Sequence, residues 1–291
     1  MRVLIVGCGY VGIPLGAALV QAGHEVHGLR RSTTRTDELS NAGIHPLIAD
    51  ITNLKQLETL PCAYEWVVNC VSSSGGGAAD YQAVYLEGMR NLLSWLSRSP
   101  PKKLIYTSST SVYGQNDGSI VNEASPTEPE AETSRVLIET EKLLLKSPKV
   151  PGIVLRLAGI YGPNRGYWFK QFLAGEATIS GKGERVLNMV HRDDIVGAII
   201  AALDRGEPGQ IYNVADDEPV TQLECFQWLA ERTGKALPPP NKEPLSHRKR
   251  GASNKQVSNA RLKRELNYRF QYPTFREGFV ALTEGQPDPR K

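Results

Sequence analysis

Apolar residues recur along this chain in two rhythms. Short, mostly apolar runs occupy 2–6, 25–29, 46–48, 66–70, 103–106 and 152–156, and longer helical stretches lie between them at 13–21, 53–58, 81–97 and 134–145. Strands that are apolar on both faces belong to buried parallel sheets, and their alternation with helices predicts a doubly wound α/β fold of Rossmann type. After Gly159 the regularity loosens. Gly- and Pro-rich loops there alternate with a predicted helix over 194–203, a strand over 210–214 and a helix over 222–232. The segment 237–255, with three prolines at 238–240 and His247-Arg248-Lys249-Arg250, reads as a surface loop, and a lid that brings cations over an anionic ligand is the sharper alternative.

The first strand runs straight into Gly7-Cys8-Gly9-Tyr10-Val11-Gly12 and then into a helix. In a strand–turn–helix context this spacing predicts a dinucleotide-binding turn. Gly7 permits the tight turn, Gly9 lets the backbone approach a pyrophosphate, and Gly12 lets the helix pack on the sheet. Gly7, Gly9, Tyr10, Val11 and Gly12 are therefore candidate cofactor-binding residues, with the helix N-terminus facing the phosphates. At the end of the second strand, where an NAD enzyme places an acidic residue for the ribose hydroxyls, this chain has Arg30 and Arg31. A guanidinium clamps a 2′-phosphate, so NADP(H) is favoured and NAD(H) is kept as the alternative. Both arginines also read as the solvated start of the polar loop 32–37. The expected organisation is a dinucleotide-binding domain over 1–158 and a smaller substrate lobe over 159–291, with some segments of the lobe returning to the first domain.

Composition narrows the partners. The chain has 291 residues and a formal net charge of +3, and its basic residues form no stripe interleaved with aromatics, so no nucleic-acid partner is expected. Four cysteines, Cys8, Cys62, Cys70 and Cys225, lack metal-ligand or disulfide spacing and predict reduced thiols and no metal site. No apolar run has membrane length and no leader-like segment precedes the first strand, so a cytoplasmic protein without a membrane partner is expected.

The order of motifs resembles the extended short-chain dehydrogenase/reductase family, which includes nucleotide-sugar epimerases and dehydratases. The glycine turn is followed by Asp50-Ile51, by Thr-Ser-Ser-Thr-Ser-Val-Tyr-Gly at 107–114 and by Arg-Leu-Ala-Gly-Ile-Tyr-Gly-Pro at 156–163. Val-His-Arg-Asp-Asp-Ile at 190–195 and Tyr-Asn-Val-Ala-Asp at 212–216 complete the series. The resemblance implies that Asp50 approaches the adenine with Ile51 beside it, that Ser72 lies beside the cofactor, and that the segment from Gly159 onward builds the substrate lobe. It also implies a homodimer through the helices at 81–97 and 134–145.

Four family positions carry the chemistry, and this chain departs at three. The family's catalytic Tyr and Lys match Thr133 and Leu137, and neither replaces what is lost: a threonine hydroxyl is too weak an acid and leucine carries no charge. The family's serine is retained as Ser109, and its helix asparagine matches Tyr85. Tyr85 is a candidate relocated acid, against the plainer reading of a packed helix tyrosine bonded locally. Tyr113 and Tyr161 match ordinary family tyrosines. Thr110 and Ser111 stand where a dehydratase places Asp and Glu, which argues against sugar dehydration. Arg135 pairs with Glu139 one helical turn away and faces half a turn from Leu137. His191 reads as structural, with Asp193 the expected N-cap of the helix at 194. Asn164 and Arg165 face the substrate by resemblance, with Arg165 expected on an anionic group, although a second family arginine matches Leu187. These departures resemble an atypical bacterial branch typified by YeeZ-type proteins.

Two functions follow. One is an NADP-dependent oxidoreductase or epimerase on a polar, nucleotide-sugar-like metabolite, with Ser109 on the reacting oxygen and Tyr85 or a water moving the proton. The other is a non-catalytic dinucleotide-binding sensor or regulatory protein that kept the fold and lost the chemistry.

Overall fold

A computed structural model describes residues 1–73, 76–241 and 253–284. From the amino terminus come β1 (Arg2–Val6), α1 (Gly12–Gln21), β2 (Glu25–Arg30), α2 (Thr36–Asn41), β3 (His45–Ile48), α3 (Leu54–Glu58) and β4 (Trp66–Asn69). Next, α4 (Ala78–Tyr81), a π-helical stretch (Gln82–Glu87) and α5 (Gly88–Leu96) succeed one another without a break, before β5 (Lys103–Ser109), β6 (Ile120–Val121), α6 (Glu132–Leu145) and β7 (Gly152–Leu157). Beyond Leu157 lie β8 (Gly159–Tyr161), α7 (Tyr167–Ala174), β9 (Val186–Leu187), β10 (Met189–His191), α8 (Arg192–Arg205), β11 (Ile211–Val214), β12 (Val220–Thr221), α9 (Gln222–Thr233), β13 (Gln256–Val257), α10 (Ala260–Leu266) and α11 (Phe275–Glu284).

Seven strands form one sheet in the order β3-β2-β1-β4-β5-β7-β11, and every pairing in it is parallel. The winding direction reverses between β1 and β4, which opens a crevice at their carboxyl ends. The central strands are apolar because both faces are covered. Ile5, Val68, Ile105 and Leu155 enter the core shared with α1 and α8, whereas Leu4, Val67, Leu104 and Val154 enter the core shared with α5. Each such fully buried side chain stabilises the fold by roughly 1.5–3 kcal/mol. A third core, with Phe172, Phe226, Phe275 and Phe279, lies outside the sheet and packs α7, α9 and α11 together.

Several boundaries differ from those the pattern predicts. β5 runs three residues past the expected end because Thr107, Ser108 and Ser109 keep pairing with Leu155, Arg156 and Leu157 of β7. Their polarity hides them from an apolar count, yet Ser108 is buried and donates to Glu141 Oε1 at 2.6 Å. The helix expected over 81–97 begins at Ala78 and is interrupted by the π-helical stretch. Likewise α6 begins at Glu132, two residues early, and α8 begins at Arg192. The expected N-cap of α8, Asp193, is corrected to His191, whose Nδ1 accepts the Asp193 N–H at 3.2 Å. The basic run 247–250 lies outside the described residues.

Among the described residues no helix is long and apolar enough to cross a membrane, and no group of His, Cys, Asp and Glu has the makings of a metal site.

Candidate functional site

The glycine turn occupies the crevice between β1 and β4, and its three glycines stand in different surroundings. Gly7 has φ +80°, and a Cβ there would lie 2.6 Å from the Val71 backbone nitrogen, so the turn after β1 touches the segment after β4 with no room for a side chain. The Leu29 carbonyl holds that turn by accepting from the N–H groups of Gly7 and Cys8. A Cβ on Gly12 would meet Ile5 Cγ2 at 3.0 Å, which lets α1 settle on β1. Gly9 is different: its nearest neighbour would be the Gly7 carbonyl at 3.9 Å. Among the described residues nothing demands a glycine there. The adjacent N-terminus of α1 has no side-chain cap and no acidic residue in its first turn, so the positive end of its dipole meets the crevice without an anionic side chain of its own.

At the rim, Arg30 ends β2 and donates through Nη1 to the Arg35 carbonyl at 3.0 Å. Its charge reaches back to the glycine turn: burial pushes the Cys8 thiol up to about 12, and Arg30 acts against that rise. Arg31 is exposed. Asp50 closes its own turn, with Oδ1 accepting from the Thr52 N–H at 2.9 Å and the Thr52 hydroxyl at 2.7 Å. Ile51 is buried, abuts Gly88 and accepts from Asn91 Nδ2 through its carbonyl. Ser72 is exposed in the segment after β4.

Ser109 is the last residue of β5, and its Oγ accepts the Ser111 N–H at 3.1 Å. The Ser111 hydroxyl in turn accepts from Ser134 at 3.0 Å, fastening the start of α6 over the strand end. α6 is also anchored from below. Arg156 of β7 and Glu141 of α6 form a buried bidentate pair, with Nη2 to Oε2 at 2.7 Å and Nε within 3.2 Å of both carboxylate oxygens. Arg156 Nη1 also donates to the Tyr113 hydroxyl, which donates to Asn213 Oδ1 on β11. Tyr113 is therefore turned into this network.

The positions matching the family Tyr and Lys hold Thr133, half-buried, and Leu137, which is 4% exposed within the core that also contains Val112 and Leu157. Tyr85 lies inside the π-helical stretch, its ring 4.8 Å from that of Tyr81, and its hydroxyl accepts the Ser73 N–H at 3.3 Å. It packs against both main cores, wedged between them. Arg135 is exposed and donates to the Pro129 carbonyl at 3.2 Å, and among the described residues it forms no ion pair with Glu139, contrary to the expected pairing.

A contact the sequence did not announce joins Tyr10 of the glycine turn to Arg165. Gly162-Pro163-Asn164-Arg165 forms a closed turn, with Gly162 and Arg165 exchanging N–H···O bonds of 3.0 and 2.9 Å and Asn164 at φ +60°. Proline second and asparagine third with positive φ is the residue choice of a type II turn. The turn delivers the Arg165 guanidinium to 5.1 Å from the Tyr10 ring centroid, and Arg192 stands 5.4 Å from the same ring. Arg192 is held by Asp193 at 2.8 Å, whereas Arg165 makes no ion pair among the described residues. The buried Tyr10 hydroxyl has no hydrogen-bond partner, and a Cβ on Gly162 would come within 2.8 Å of it. The only advance sign of this cluster is an aromatic residue within the glycine turn. His191 Nδ1 caps α8 by accepting the Asp193 N–H, and burial lowers the pKa of the ring.

Comparison with known proteins follows the same outline. Residues 3–215 match the profile of the NAD dependent epimerase/dehydratase family. Protein YeeZ of Escherichia coli K12 is 29% identical over 277 residues, spanning 94% of this chain and 96% of its own. A conserved protein of unknown function from Silicibacter pomeroyi superposes with a TM-score of 0.78 at 30% identity, covering 97% of this chain and 98% of its own. The dTDP-glucose 4,6-dehydratase DesIV of Streptomyces venezuelae, solved with NAD and TYD bound, superposes with a TM-score of 0.83 at 21% identity, covering 98% of this chain and 96% of its own, a likeness of fold.

Proposed function

The chain belongs to the NAD dependent epimerase/dehydratase family, and from that premise we propose that it binds NADP(H) in preference to NAD(H) and acts as an oxidoreductase or epimerase on a polar, anionic metabolite. It stands in the atypical, YeeZ-like branch of the extended short-chain dehydrogenases/reductases. The observation that carries the cofactor reading is Gly9: a glycine with no close neighbour among the described residues, beside an uncapped helix N-terminus at the reversal point of the sheet. Tyr10, Val11 and Gly12 flank the phosphates in this reading, Arg30 and Arg31 receive the 2′-phosphate, and Asp50, Ile51 and Ser72 border the adenosine and ribose. The bound nucleotide supplies or accepts a hydride. Ser109 holds the reacting oxygen, and Tyr85 or a water moves the proton. Asn164 and Arg165 take the substrate's anionic end, and the absence of an ion pair on Arg165 among the described residues supports that assignment.

The domain division at 158/159 belongs to the same proposal, supported by the separate core around Phe226 and by β11, which returns to the central sheet. So does a homodimer through the helical stretch 81–97 and α6, where Leu86, Leu93 and Leu143 line a groove. A cytoplasmic location is proposed with it.

One observation favours a second reading, a dinucleotide sensor or regulatory protein. Leu137 is buried in apolar surroundings, so the family's lysine position holds core packing and no cation. Calorimetric titration with NADPH and NADH, followed by turnover at 340 nm against carbonyl and nucleotide-sugar substrates, separates the two. The enzyme reading expects NADPH-linked turnover that is lost in Ser109→Ala. Tight binding with no turnover across the panel favours the sensor, and no binding of either nucleotide overturns the proposal.

A further inference from the structure

Lys255 is the one lysine among the described residues that is classed as buried, 5% exposed, and no acidic group pairs with it there. Its Nζ donates to the Tyr113 carbonyl and to Ser253 Oγ, both at 2.9 Å, two neutral oxygens for an ammonium that has three N–H bonds to give. The neighbouring charge has the same sign: burial lowers the Lys255 pKa to about 8, and Arg185 adds to the fall. A structural clamp between two loops needs only an uncharged donor. A desolvated ammonium held by neutral oxygens alone is costly unless an anion arrives to offset it.

Its place in the fold says where such an anion comes from. Tyr113 follows Ser109 by four residues, so the carbonyl bound by Lys255 belongs to the segment that leaves the carboxyl end of β5. On the other side, Asn188 Nδ2 donates to the Lys255 carbonyl and Asn188 Oδ1 accepts the Val257 N–H at 2.7 Å, while the Asn188 carbonyl accepts from Gly159. Lys255 thus bridges the β5 end and the β8/β10 strand pair. Asn254 locks the backbone beside it by accepting from the Val186 and Gly118 N–H groups and donating its own N–H to Gln115. The ammonium is therefore preorganised, with its position fixed before any ligand is bound.

We infer that Lys255 is an anchor for an anionic oxygen group, carboxylate or phosphate-like, of the ligand that occupies the cleft between the β5 end and the lobe beyond Gly159. This rests on reading that cleft as a ligand site, and it adds a residue that no family motif above contains. Lys255 and Arg165, on separate segments, then address different parts of one ligand. Among the described residues, the Tyr113 phenol beside Lys255 is turned away toward Arg156.

The test is a titration of NADPH-saturated protein with sodium sulfate and, separately, sodium malonate, at ionic strength held constant with KCl. Binding is read by calorimetry and by the shift in melting temperature. Wild type is expected to bind one of the two, sulfate indicating a phosphate-like group and malonate a carboxylate, with affinity falling as pH rises through 8. Lys255→Met is expected to weaken that binding at least tenfold while leaving NADPH affinity within twofold. Equal anion binding by the variant, or none by wild type, overturns the inference. Where Lys255→Met does not fold, carbon-13 NMR of the lysine Cε groups in wild type decides: the pKa of Lys255 must rise when the anion is added, and an unchanged pKa overturns the inference. Loss of NADPH binding alone counts against the cofactor reading, because the same anion titration run on the apo protein still depends on Lys255.

Discussion

Gly7 and Gly9 are the same residue two positions apart, and their surroundings ask different things of them. Alanine at Gly7 meets backbone at 2.6 Å in a conformation that L-residues avoid. Gly7→Ala should destabilise the whole fold by several kcal/mol, read as a large fall in melting temperature. Alanine at Gly9 meets nothing closer than 3.9 Å, so Gly9→Ala should leave the melting temperature within about 2 °C and remove nucleotide binding. Leu137→Ala should cost about 2–4 kcal/mol in urea denaturation, the loss expected of a core leucine; a cost near zero would contradict its role as packing. Lys255 gives a pH signature. Its folded pKa of about 8 lies below its ordinary 10.5, so between those values the unfolded chain holds a proton the native chain has released. Raising the pH through that window therefore stabilises the native state, by on the order of 3 kcal/mol relative to Lys255→Met. Urea melts of both proteins at pH 7.5 and 10.5 measure the difference. Part of this was legible in the sequence, because glycine spacing and a leucine in place of a lysine are visible there. The burial of Lys255 was not, since it depends on Tyr113 and Asn188, distant in the chain.

At the scale of elements, the strands and long helices followed from apolar runs that need no long-range information. What escaped was what has no period. The two-residue strands β6, β9, β12 and β13 are too short to show alternation, and the polar end of β5 is stabilised by Ser108 meeting Glu141 of α6. The π-helical stretch was also invisible, although it sets the direction in which Tyr85 leaves its helix. α6 bears on the site through both ends: Ser134 fastens its start to the turn after Ser109, and the buried Glu141–Arg156 pair fixes its middle. Removing one partner leaves the other charge buried and alone, so Glu141→Ala should cost about 3–5 kcal/mol. Chemical denaturation checks that value, and a cost below about 1 kcal/mol would show that α6 is held by apolar packing alone.

For the molecule as a whole, the family and the α/β architecture were legible because motifs in a fixed order constrain one another, and the profile match over 3–215 agrees with them. The cleft was only half legible. Residues within one motif, such as the glycine turn, were found, whereas pairings between motifs, Tyr10 with Arg165 and Lys255 with Tyr113, exist only once the lobe folds back over the sheet. Selectivity between cofactors is likewise a property of the assembled rim. Arg30→Ala with Arg31→Ala should weaken NADPH by tenfold or more and NADH by less than threefold, because only the former offers a 2′-phosphate to a guanidinium. Everything proposed for this cleft depends on a dinucleotide entering it. The most direct measurement is calorimetric titration of NADPH and NADH into wild type and Gly9→Ala. The prediction is tighter NADPH than NADH binding in wild type, and loss of both in a Gly9→Ala protein whose melting temperature is unchanged. Failure of wild type to bind either nucleotide, or undiminished binding by Gly9→Ala, would contradict it.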